Sequence, residues 1–237
     1  MIAKGEKFNH IELHSKFLDE FLVFFLELIE KSKINFSVHM PHMYSKEKVN
    51  LCSAVKKDKE KACYWLKKSI HLSKELNAKY IILHPDVPKK CSKEKGREVL
   101  EKHIKDNMNL LKKNQMFLIE NMPSKDYCIS NVEEMKEFLK KFDKSKVGCV
   151  WDIAHSYFVM KDRFLQFPKV LEKSIKEIHI CDFGKNGEDH LVLSKGIMNI
   201  KKIGNSIKKF KVPLILEIKP ENIDDISNSR KILKKYF

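Results

Sequence analysis

Short runs of apolar and β-branched residues alternate along the chain with longer stretches whose apolar positions recur at helical spacing. The strand-like runs are His10–His14, Ile34–His39, Tyr80–His84, Met116–Glu120, Val147–Asp152, Lys176–Ile180 and Pro213–Glu217. Helical patterns lie near residues 16–32, 56–77, 93–113, 131–142, 162–174, 198–210 and 224–235. Asn131 precedes Val132-Glu133-Glu134, an N-cap followed by acids where the positive end of a helix favours them. Strand followed by helix, repeated, is the pattern of a parallel sheet built from βα units. Seven units are recognisable, whereas a closed (β/α) barrel needs eight strands. The predicted fold is therefore α/β, a TIM-type (β/α) barrel lacking its first strand. No linker, low-complexity tract or internal repeat interrupts residues 1–237, which predicts one domain. Unpaired strand edges favour association. The gap is thus expected to be filled by chain upstream of Met1, by Met1–Asn9, or by a partner chain in a homo-oligomer.

Composition adds the class. Hydrophobic residues make up 43% of the 237, enough for one substantial core. The most apolar stretch, Phe17–Ile29, carries Asp19, Glu20 and Glu27 and reads as a buried amphipathic helix rather than a membrane span. The N-terminus lacks a secretory pattern, so the expectation is a soluble cytoplasmic protein with no membrane partner. The six cysteines form no Cys-x-x-Cys pair, which argues against a zinc ribbon or a disulfide framework. A net charge of +15 is compatible with nucleic acid. All but three of the 47 basic residues are lysines, however, spread along every helix beside acids, as a solvated surface would be.

The candidate chemistry sits at the ends of the strands. His39, His84, Glu120, Asp152, His179 and Glu217 close six of the seven runs or lie at their ends. In a (β/α) barrel the carboxyl ends of all strands converge on one rim, so residues remote in sequence meet there. Carboxylates and imidazoles crowded together repel or stay unsatisfied unless something compensates them. A divalent cation does so. His155 follows Asp152 by three residues, and Glu188-Asp189-His190 offers a carboxylate beside an imidazole on a later loop. Mixed His and carboxylate ligation suits zinc or manganese.

These segments together resemble a known superfamily. Ser37-Val38-His39-Met40-Pro41, Val49-Asn50-Leu51, Ile82-Leu83-His84-Pro85-Asp86, Leu118-Ile119-Glu120-Asn121 and Gly148-Cys149-Val150-Trp151-Asp152-Ile153-Ala154-His155 are similar, in order, to the xylose isomerase-like TIM barrels. Ile178-His179-Ile180-Cys181-Asp182, Glu188-Asp189-His190 and Leu216-Glu217 continue the series. Within that superfamily the chain resembles the endonuclease IV branch, apurinic/apyrimidinic endonuclease family 2. The resemblance implies up to three zinc ions, with manganese as the other candidate metal. His39, His84 and Glu120 would hold the first. Glu120 would bridge to a second, completed by Asp152, His179 and Glu217. His155, His190 and Glu188 would hold the third. It further implies hydrolysis of a DNA phosphodiester 5′ to an abasic site, with Glu120 and Glu217 at the catalytic centre and abasic DNA as partner.

The isomerase and epimerase relatives are similar but need only the carboxylate–His set around the second metal. Under that alternative, a sugar or sugar-phosphate isomerase or epimerase, Glu120 and Glu217 would shuttle a proton at the carbon next to the carbonyl. His39, His84 and His190 discriminate the two, and all are present. The chain also departs from the nuclease pattern. It has Glu188-Asp189-His190 where Asp-x-His is usual, Ser194-Lys195-Gly196 in place of Gly-x-Gly, and His42-Met43 in place of a Tyr-Leu wedge. It lacks the Arg/Gln/Trp-rich insertion after the second strand of the family.

Overall fold

A computed structural model describes residues 8–17, 22, 23, 25–27 and 34–237. Seven strands form one sheet: β1 (His10–His14), β2 (Asn35–His39), β3 (Tyr80–Leu83), β4 (Met116–Glu120), β5 (Val147–Asp152), β6 (Ile175–Ile180) and β7 (Leu214–Leu216). Each pairs in parallel with the next along the chain, so β1 and β7 are the two ends of a nearly closed barrel. The register brings the carboxyl ends level: His14 pairs with His39, Glu120 with Val150 and Asp152 with His179. The seven expected strands are all present, with ends displaced by a residue or two. The expectation that Met1–Asn9 fills the gap falls mainly on residues 1–7, which lie outside the described residues.

The helices are α1 (Lys56–Glu75), α2 (Lys93–Asn107), α3 (Val132–Leu139), α4 (Ile153–Met160), α5 (Gln166–Leu171), α6 (Ile200–Ile207) and α7 (Ile223–Tyr236). Asn131 caps α3 as expected, its side chain accepting from the Glu134 amide at 2.9 Å. Of the pattern at 16–32, residues 22, 23 and 25–27 are helical and most of the remainder lies outside the described residues. Two features differ from expectation. The helix expected over 162–174 is a short 3-10 turn at Lys161–Arg163 followed by α5. Pro168 has no N–H to give to a preceding turn and is tolerated only near a helix start, which restarts the helix at Gln166. The second is α4, which leaves β5 directly because Asp152 ends the strand and also caps the helix, accepting from the His155 amide at 2.7 Å.

Strand periodicity divides the buried residues. Positions two and four before His84 and Glu120 share their face of the sheet, and these are Ile82, Tyr80, Leu118 and Met116. With Val150, two before Asp152, they form a separate apolar cluster. The ligand candidates therefore stand on an apolar floor inside the barrel. The larger cluster, including Leu66, Ile81, Phe117, Phe138, Trp151 and Phe167, packs sheet against helices. Among the described residues no helix is long and apolar enough to cross a membrane.

Candidate metal centre

Barrel topology brings most of the expected residues together. Among the described residues four groups have ligand atoms within 4.8 Å of one another, and three of them hold the expected residues: His39, His84 and Glu120; Glu120, Asp152, His179 and Glu217; and His155, Asp189 and His190. Glu120 belongs to the first two. One carboxylate oxygen is 3.1 Å from His84 Nε2 and 3.5 Å from His39 Nε2, while the other is 3.3 Å from His155 Nδ1. His39, Glu120, Asp152, His155 and His179 are buried, and His84, His190 and Glu217 are partly so.

Glu188 is the exception. Its side chain is exposed, and Asp189 stands with His155 and His190 in its place. The expectation assumed an extended segment in which residues 188 and 190 point to one side. Instead Gly187 takes φ 84° and the Gly184 amide donates to the Glu188 carbonyl at 2.7 Å, closing a turn. His190 then adopts φ 58°, which breaks the alternation. The loop is anchored by Asp182 on the exit from β6. Its buried carboxylate accepts from the amides of Phe183 (2.8 Å), Ser194 (3.0 Å) and Met198 (3.0 Å). Ser194 takes φ 75°, a left-handed conformation that favours glycine, and a Cβ at Gly196 would collide with the Asp182 carboxylate. The segment Ser194-Lys195-Gly196 thus adopts glycine-type backbone with one glycine fewer.

Hydrogen bonds set which imidazole nitrogen is free. The Nδ1 atoms of His39, His155 and His190 lie 2.9 Å from Met40 O, 3.0 Å from Asn121 O and 3.0 Å from Glu217 O. A carbonyl only accepts, so each Nδ1 carries a proton, and in the neutral ring that a metal would bind the lone pair is on Nε2. Asn121 has a second role that sequence reasoning missed. Its side chain accepts from the Asp152 amide and donates to the Asp152 carbonyl, both at 2.9 Å, locking β4 to β5 beneath the centre.

The electrostatics fit a cation. Burial alone would lower His39 and His155, but neighbouring carboxylates outweigh it: Glu12 and Glu120 push His39 up to about 9, and Asp152 and Glu120 push His155 up to about 10. Burial would raise Glu217, yet His179 holds it down at about 2. Burial raises Asp152 to about 6 against the pull of His155. Three buried atoms of the second group, Asp152 Oδ2, His179 Nδ1 and Glu217 Oε2, make no hydrogen bond to protein. Buried polar atoms without partners are costly, and converging lone pairs from one imidazole and two carboxylates are what a divalent ion satisfies. The residues present therefore fit divalent metal. Above them opens a cleft of about 710 Å³ that reaches His42, Lys48, Lys89 and Lys219.

Comparison with known proteins agrees with this geometry at the level of family. An uncharacterised protein of Methanocaldococcus jannaschii is 26% identical over 215 residues, covering 88% of this chain and 82% of that protein. A probable endonuclease 4 of Mesomycoplasma hyopneumoniae is 27% identical over 150 residues, covering 58% of this chain and 54% of that protein. Among solved structures, a D-tagatose 3-epimerase-like protein superposes with a TM-score of 0.80 at 21% identity, covering 97% of this chain and 88% of that one. A D-psicose 3-epimerase gives 0.76 at 17%, covering 99% and 90%. A sequence model described as xylose isomerase-like TIM barrel matches residues 3–236, and the chain belongs to that family.

Proposed function

We propose that the chain is a metal-dependent phosphodiester hydrolase acting on DNA at abasic sites. The observation that carries this reading is the group His155, Asp189 and His190 standing beside His39, His84 and Glu120. Proton transfer at a sugar carbon needs only the group around Asp152 and Glu217, so two further groups point to chemistry on a more highly charged centre. Bound divalent ions would supply Lewis acidity toward a phosphoryl oxygen and toward water. The chain's own residues orient that chemistry. Glu120 ties two groups together, and the carbonyls of Met40, Asn121 and Glu217 fix three imidazoles. Lys48, Lys89 and Lys219 line the cleft, Lys89 paired with Asp58 and Lys219 with Asp189, and their positive charge suits a polyanionic substrate. The relative named probable endonuclease 4 supports the reading.

A second reading, a sugar or sugar-phosphate isomerase or epimerase, is favoured by a different observation. The structural neighbours include sugar epimerases that match nearly the whole chain. There Asp152 Oδ2, His179 Nδ1 and Glu217 Oε2, three buried atoms of one group that make no hydrogen bond, mark a single ion, and Glu120 and Glu217 would flank the substrate. One experiment separates the two. Zinc-loaded protein is incubated with a duplex carrying a tetrahydrofuran abasic analogue and, separately, with a panel of ketohexoses. Incision on the 5′ side of the analogue is expected. Sugar turnover without incision across a range of salt would transfer the assignment to the second reading.

A further inference from the structure

His179 differs from His39, His155 and His190. It is turned the opposite way, and main-chain carbonyls do not orient it. Its Nδ1 faces Glu217 Oε2 at 2.9 Å, while Nε2 points deeper into the barrel, 3.2 Å from Glu12 Oε2 and 3.4 Å from Glu177 Oε1. Glu177 stands two residues before His179 on β6 and so shares its face. Glu12 reaches it from β1, across the end of the open sheet. Ser37 Oγ donates to Glu177 at 3.4 Å, and His10 Nε2 lies 3.1 Å from Ser37 Oγ and 3.4 Å from Glu177 Oε2. Two carboxylates are thus buried below the centre, around one imidazole nitrogen.

We infer that Glu12 and Glu177 are positioning residues that hold the Nε2 proton of His179, so that its Nδ1 lone pair is presented to a divalent ion shared with Glu120, Asp152 and Glu217. The inference rests on the metal reading above. Glu177 Oε1 already accepts from Ser37 Oγ, and an accepting carboxylate oxygen leaves the proton on the imidazole nitrogen that faces it. A neutral imidazole then has a single lone pair left, and it is on Nδ1. Glu12, Glu177 and His179 also lie close enough together to hold an ion of their own. That ion would claim the same imidazole through Nε2. The upper group has three carboxylates and three atoms without hydrogen bonds, and it has the stronger claim. Placing Glu12 on β1 also makes the proposed ligand His179 depend on an end strand of the described sheet.

The test combines spectroscopy on the unaltered protein with metal affinity. In zinc-loaded wild-type protein, long-range ¹H–¹⁵N spectra of the histidines should show His179 protonated at Nε2 and metal-bound at Nδ1. The reverse pattern overturns the inference and needs no variant. Chelator competition is then run on wild type, Glu12→Gln, Glu177→Gln and the double variant, with circular dichroism of the metal-free forms to confirm folding. One ion should be weakened about 10–100-fold in the folded double variant while the others are unchanged, the size expected when a partner that orients a ligand is lost. Equal affinity for every ion in wild type and the folded double variant overturns it. Wild-type protein that takes up no zinc removes the metal reading itself, a separate outcome.

Discussion

His179 Nδ1 lies 2.9 Å from Glu217 Oε2, yet neither atom is in a hydrogen bond. Two buried groups of complementary chemistry at that distance would normally share a proton along the line between them. Asp152 Oδ2 likewise makes no hydrogen bond, and ligand atoms of Glu120, Asp152, His179 and Glu217 lie within 4.8 Å of one another. A divalent ion among them would satisfy all three. Metal binding to a site that exists only in the folded chain adds to folding stability. Exhaustive chelation is expected to lower the thermal midpoint, and readdition of zinc to restore it. An unchanged midpoint in protein shown to be metal-free would contradict this.

Glu120 is the member common to two groups. Glu120→Gln removes one negative charge from both while keeping the side-chain shape. It is expected to abolish incision of an abasic duplex and to release more zinc than His84→Ala, which touches one group. Metal content equal to wild type would contradict the shared role.

Asp189 and Glu188 give a paired test of the loop. Asp189→Asn is expected to weaken or remove the ion held with His155 and His190, whereas the exposed Glu188→Gln should leave metal content unchanged. The opposite ranking, read by elemental analysis of the two variants, would show that the loop takes another conformation.

Asn121→Ala should destabilise the fold as well as the centre. It leaves the buried amide and carbonyl of Asp152 without their partners, and orphaned buried groups cost about 1–3 kcal/mol each. A loss of about 2–6 kcal/mol in urea unfolding is expected on that basis. A loss under about 0.5 kcal/mol would mean that water replaces the amide without cost.

Much of this was legible in the sequence, for identifiable reasons. Seven alternating runs implied seven parallel strands, and parallel topology alone carries the ends of β2 to β7 to one rim. His39, His84, Glu120, Asp152, His179 and Glu217 followed from that. What was not legible depends on local backbone. The choice of Asp189 over Glu188 turns on φ at Gly187 and His190. The helix after β5 was signalled only by Asp152 in a capping position, a residue already read as a ligand. Glu12 and Glu177 left a trace that was not used. Each is an acid inside a strand, Glu12 between Ile11 and Leu13 and Glu177 between Lys176 and Ile178. An acid on the inner face of a barrel strand calls for a partner, and only the fold shows that the partner is His179.

Under the proposed function, the rim of this barrel holds several ions rather than one. Elemental analysis of protein purified without chelators measures that directly. More than one divalent ion per chain, predominantly zinc, is the expected result. A single manganese ion per chain, with no further uptake when zinc is added in excess, would contradict it and support the sugar isomerase or epimerase reading.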